Sequence, residues 1–192
     1  INMLKYQFYP ERKYFITYSL TDQIIVKFDD PLKEIILNQF NKAAKNNNVN
    51  IEYFAILNNH LHLIIDCEEQ KQRKKFLKDL AGASARLINI QTNREGQLWK
   101  KYYAWAIFDE LAYANISAYI LGNPLRHGII HSFNELKKYK YCNFQELCKE
   151  FDQEELELRI MSILKIKKHE DENMFLETLC KGGTLNEFRD NN

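Results

Sequence analysis

The 192-residue sequence predicts an α+β fold, a ferredoxin-like antiparallel sheet of four to five strands with helices on one face. Two observations carry that prediction. Apolar residues repeat with period two or about 3.6 in the order β, α, β, β, α, β, and one more helix follows. Two of the strands are separated by only two asparagines, a tight hairpin connection.

The elements follow in chain order. KYFITYSL (13–20) alternates aromatic or β-branched residues with others and reads as a strand, and IIVKF (24–28) is a short candidate partner. Asp29, Asp30 and Pro31 open a helix that runs through LKEIILNQFNKAAKN and ends at NNNVN. IEYFAIL (51–57) and HLHLIID (60–66) form a hairpin about Asn58 and Asn59. EEQKQRKKFLKDLAGASARLINI is a basic amphipathic helix offering Phe76, Leu77, Leu80, Ala83, Leu87 and Ile88 to the core. After the loop QTNREGQ, the aromatic run LWKKYYAWAIFD (98–109) is the fourth strand, and ELAYANISAYILGN is a helix that Pro124 should end. Beyond the polar KKYKYCNF lie a helix at EELELRIMSILKI and a weaker one at NMFLETLCKG, and FLETLCKGGTLNEF has a trace of helix-turn-helix character. With the helices on one face, the other face of the sheet is expected to be free.

Composition narrows the class. No apolar run approaches about 18 residues, and the first residues are charged and aromatic, so a cytoplasmic protein is expected. Cys67, Cys142, Cys148 and Cys180 form no CxxC pair, which suits a reduced compartment and argues against a zinc–cysteine site. Residues 1–150 carry 21 Lys/Arg against 16 Asp/Glu, a balance of +5, whereas residues 151–192 carry 6 against 10, a balance of −4. A basic body (1–150) with an acidic helical extension (151–192) is mild evidence for a polyanion partner.

The chemistry centres on His60 and His62. In a strand both point to one face while Leu61 and Leu63 point to the other, and two imidazoles away from water need partners, solvent or a metal. Two imidazoles leave a metal short of ligands, so a third protein group is required. Tyr119 and Asn123, four apart on the following helix, place a phenol beside a carboxamide oxygen on one face. Tyr113 is the rival to Tyr119, and Asn123 also suits a helix C-cap.

These segments, RKYFIT, LNNHLHLII, SARLIN, LWKKYYAWAIFDE and above all AYILGNPLRHGII, resemble the single-tyrosine HUH transposases of the insertion-sequence-200-like group, most closely the REP-associated tyrosine transposases. The resemblance spans roughly residues 6–145. It implies that His60, His62 and Asn123 bind a divalent metal and that Tyr119 is the nucleophile that attacks single-stranded DNA, giving a 5′-phosphotyrosine and a free 3′-hydroxyl. Asn58 stands where the family usually has a proline, and Phe108 where relatives often carry a basic residue.

Phosphodiester cleavage of this kind needs a Lewis acid, which magnesium or manganese supplies, and an activated phenol. Lys71, Lys74, Lys75 and Lys78 form either a solvated helix face or, with Arg86, Arg94, Lys100, Lys101 and Arg126, a groove for a single strand bearing a stem-loop. Tyr102, Trp99 or Trp105 would then be stacking platforms. Two other functions stay open: a hairpin-binding protein that does not cut, and a water-using metal nuclease drawing on Asp66. Monomer and homodimer are equally compatible with the sequence.

Overall fold

A computed structural model describes residues 8–21, 27–165 and Cys180. The strand expected at 24–28 and the helix expected around 173–182 therefore lie largely outside the described residues. Among the described residues β1 (Tyr14–Ser19), β2 (Asn50–Ile56), β3 (His60–Asp66) and β4 (Tyr103–Ala106) form one antiparallel sheet in the order β2-β3-β1-β4. With α1 (Asp30–Asn47) and α2 (Gln70–Gln91) this is the ferredoxin-like arrangement.

Local chemistry sets the boundaries. Asp29 caps α1 by accepting from the Leu32 amide, Pro31 sits in the first turn, and Asn48 ends the helix with φ 50°, a left-handed conformation that asparagine tolerates. Asn58 and Asn59 close the β2–β3 hairpin, where the Leu57 amide donates to the His60 carbonyl at 2.8 Å. Named β4 is shorter than expected. Leu98 and Trp99 turn instead into the core beneath α1 and α2, where the Trp99 indole donates to Ser84 Oγ at 3.0 Å.

One face of the sheet packs Tyr14, Ile16, Tyr18, Leu61, Leu63 and Ile65 against α1 and α2. The α2 residues buried there include Phe76, Leu77, Leu80 and Ile88, whereas Ala83 and Leu87 are only half-buried.

The second face is not free. α3 (Glu110–Arg126) and α6 (Gln153–Leu164) cover it over a second core that contains Phe15, Tyr53, Ala55, Ile64 and Trp105. Those side chains are as apolar as the first set, so leaving them in water would forfeit the burial of several large groups. α3 is itself buried at every position from Asn115 to Pro124 and needs cover on several sides. Gly122 allows the close approach of α6: a Cβ there would stand 3.0 Å from Ile160 Cγ2.

α3 also runs one turn further than expected. Pro124 lies inside it, near the end, where its missing N–H costs one bond and the chain continues to a C-cap at His127. The following segment holds two four-residue helices, α4 (Phe133–Leu136) and α5 (Phe144–Leu147), and covers the outer edge of β2 through an Ala55–Cys142 bridge.

Candidate active site

His60 is the first residue of β3 and His62 follows two positions on, so both project into the layer beneath α3. Their rings lie 4.8 Å apart, edge to face. Each is held through Nδ1: that of His60 is 2.6 Å from Asn59 Oδ1, and that of His62 is 2.9 Å from Thr17 Oγ1. An amide oxygen can only accept, so His60 Nδ1 carries the proton and Nε2 keeps its lone pair. Both Nε2 atoms are buried without a hydrogen-bond partner.

Burial, with the nearby His127, pushes the His60 imidazole down to about 3. Burial also holds His62 well below the ordinary value, with His60 and His127 adding to the effect. Both rings are therefore neutral at physiological pH, the form that ligates metals.

α3 supplies the other two groups. The Asn123 amide nitrogen donates to the Tyr119 carbonyl one turn back at 2.7 Å, which leaves Oδ1 buried and unpartnered. Asn123 is thus a mid-helix residue and not a cap. Tyr119 packs edge-on against His62 at 5.3 Å and Phe15 at 6.4 Å, with the Arg126 guanidinium carbon 5.9 Å from its ring. Only 1% of Tyr119 is exposed. The exposed His127 ring stands 4.9 Å from that of His60.

A divalent metal fits these residues. Three potential donors, two imidazole nitrogens and one amide oxygen, are buried with no protein partner, a costly arrangement unless something else satisfies them. No three His, Cys, Asp or Glu side chains form a metal-holding group among the described residues, so a third protein donor to such an ion would have to be of another kind, and the carboxamide oxygen of Asn123 is one. A cavity of about 610 Å³ bordered by α3 and α6 has neither imidazole in its lining.

Other candidates fall elsewhere. The Tyr113 hydroxyl donates to Glu52 Oε2 at 2.7 Å, and burial together with this bond pushes it well above the usual phenol value. Asp66 closes the opposite end of β3, opposite Asn50. Lys71, Lys74, Lys75, Lys78 and Arg86 are exposed on α2, across the sheet from the histidines, and do not join them in a groove. Arg94, Lys100 and Lys101 share a concavity with Thr21, and Arg126 alone of these cations lies by Tyr119.

The expected stacking platforms are also displaced. Trp99 and Trp105 are each 5% exposed, and Tyr102 packs on Tyr18 on the α1/α2 side of the sheet. Thr17 and Asn59, which orient the imidazoles, were not foreseen. Asn59 could have been found from its place in the hairpin turn, whereas Thr17 required the strand register.

A ferredoxin-like sheet that holds two metal-competent imidazoles beneath a tyrosine-bearing helix is an arrangement suited to phosphoryl-transfer chemistry. Residues 21–123, which include His60, His62, Tyr119 and Asn123, match the model of the IS200-like transposases, and the chain belongs to that family. A solved REP-associated tyrosine transposase bound to a REP hairpin shares the fold. It is 16% identical with a TM-score of 0.55, over 75% of this chain and 84% of that one. A crystal structure of a candidate transposase from Deinococcus radiodurans R1 is 24% identical over 59% of this chain and 92% of that one, with a TM-score of 0.41. No curated protein matches. No helix among the described residues is long and apolar enough to cross a membrane.

Proposed function

We propose that the chain cleaves and rejoins single-stranded DNA carrying a stem-loop, with Tyr119 as nucleophile and magnesium or manganese held by His60, His62 and Asn123. The observation that carries this is the trio of buried, unpartnered donor atoms beside a buried tyrosine. When bound, such a cation offsets charge on the non-bridging oxygens of the scissile phosphate.

The chain's own residues do the rest. The Tyr119 oxygen attacks phosphorus, its proton departs, and the bond from phosphorus to the 3′-oxygen breaks, so that the 3′-oxygen leaves as a hydroxyl. The DNA on the other side stays linked through its 5′-phosphate to Tyr119, and the reverse attack by a 3′-hydroxyl rejoins a strand without ATP. Phe15 and His62 fix the phenol ring, and Arg126 places a permanent cation beside it. Because Tyr119 is 1% exposed, a phosphate reaches its hydroxyl only after the residues around it shift.

A water-using nuclease finds less support, since Asp66, the carboxylate it would draw on, is at the far end of β3. The test is a denaturing gel of the protein incubated with manganese and 3′-labelled single-stranded oligonucleotides from the DNA flanking its gene. The label should migrate with the protein, and Tyr119→Phe should abolish that band. Cutting without a protein-linked label would mean that water is the nucleophile. Hairpin binding with no cutting would mean a DNA-binding protein.

A further inference from the structure

Four rings run across the face of the sheet that carries the imidazoles. Tyr103 stacks on Trp105 at 5.4 Å, Trp105 on Phe15 at 5.6 Å, and Phe15 on His62 at 5.5 Å, all within about 25° of parallel. Phe15, Trp105 and His62 are buried, whereas Tyr103 is only half-buried. Tyr103 and His62 both pair with Thr17 of β1, so they stand two strand spacings apart, about 10 Å. α3 packs chiefly over β2 and β3, to one side of β4.

The residues just before Tyr103 add charge at the same end of the sheet. The Lys100 amide donates to the Ser19 carbonyl at 2.8 Å, and Ser19 is the register partner of His60. Lys100 and Lys101 border, with Arg94 and Thr21, a concavity of about 590 Å³ in which Glu95 is the only acid.

We propose that Tyr103 is a base-stacking platform for the nucleotide next to the scissile phosphate, and that Lys101 and Arg94 hold the phosphates that follow it. This subsite rests on the transposase reading and gives the single strand a path: phosphate at His60 and His62, base across Thr17 onto Tyr103, backbone onward into the basic concavity. Aromatic stacking suits such a place because every base has a π-face, so the strand is gripped whatever its sequence.

The test uses full-length protein carrying Tyr119→Phe, which binds without cutting, and a twelve-residue thymidine oligonucleotide containing one 2-aminopurine. Binding should quench the 2-aminopurine fluorescence. Tyr103→Leu should remove the quench and weaken binding about tenfold, whereas Tyr103→Phe should keep both. Lys101→Gln should retain the quench and lower the salt slope of binding by about 0.7. A folded Tyr103→Leu protein with unchanged affinity and quench overturns the subsite. Should that variant fail to fold, an unchanged salt slope for Lys101→Gln overturns it instead. If the subsite alone is wrong, the Tyr119 protein still forms its covalent adduct. If neither adduct nor single-strand binding is seen, the transposase reading fails and the subsite falls with it.

Discussion

The two faces of the sheet are built from alternate residues of the same strands and differ in the polar groups they bury. Toward α1 and α2, β3 sends Leu61, Leu63 and Ile65, and the buried Tyr18 hydroxyl donates to the Leu77 carbonyl at 2.9 Å. Toward α3 the same strand sends His60 and His62, and there Nε2 of each and Oδ1 of Asn123 are buried without partners. A fold seeking only stability would have put leucines there too, since a satisfied apolar layer avoids the desolvation cost of orphaned polar groups. Both faces are core, but among the described residues only the one toward α3 buries side-chain atoms whose lone pairs no hydrogen bond occupies, and that is where the proposed metal and nucleophile would sit.

The comparison can be broken from either face. The largest effect is expected from Tyr119→Phe, which should abolish the protein–DNA adduct while the protein still folds cooperatively, since one oxygen is removed from a ring that keeps its Phe15 and His62 contacts. On the opposite face Leu63→Ala should do the reverse. It should cost about 2–5 kcal/mol in denaturant titrations, as for other large-to-small core changes, and leave adduct formation per folded molecule intact.

Acid sharpens the contrast next. The folded-state values of both imidazoles lie below the unfolded one, so the unfolded chain binds more protons below about pH 6.5. Stability of the metal-free protein is then fully present above that pH and falls as pH drops below it and each imidazole is forced to take up a proton. His60→Leu should flatten that dependence. The smallest effect belongs to Tyr113→Phe, which loses the bond to Glu52 and about 1 kcal/mol, with the adduct unaffected.

Much of this placement could be read from sequence because it depends on local spacing. β3 has the bounds its alternation predicts, and the i, i+4 relation of Tyr119 and Asn123 follows from the helix repeat alone. What escaped depends on tertiary context. The cover over the second face could not be seen, although Phe15, Ile64 and Trp105 already made that face apolar. Pro124 marks a helix end by propensity, yet the last turn of α3 tolerates it. α4 and α5, four residues each, are too short to show a period. Adjacent tyrosines at 102 and 103 gave no sign of which one faces the histidines, and only the β1–β4 register assigns that place to Tyr103.

The most direct test of the difference between the faces is manganese binding, followed by electron paramagnetic resonance of free Mn²⁺ alongside the melting temperature. The wild-type chain should bind one Mn²⁺ and melt at a higher temperature as the ion is added. His62→Leu and Asn123→Leu should each lose both responses, while Leu63→Ala, though less stable, keeps its single Mn²⁺ under conditions where it is folded. Full Mn²⁺ affinity in His62→Leu or Asn123→Leu, or no binding by the wild-type chain, would contradict the assignment of the three unpartnered donors to a metal.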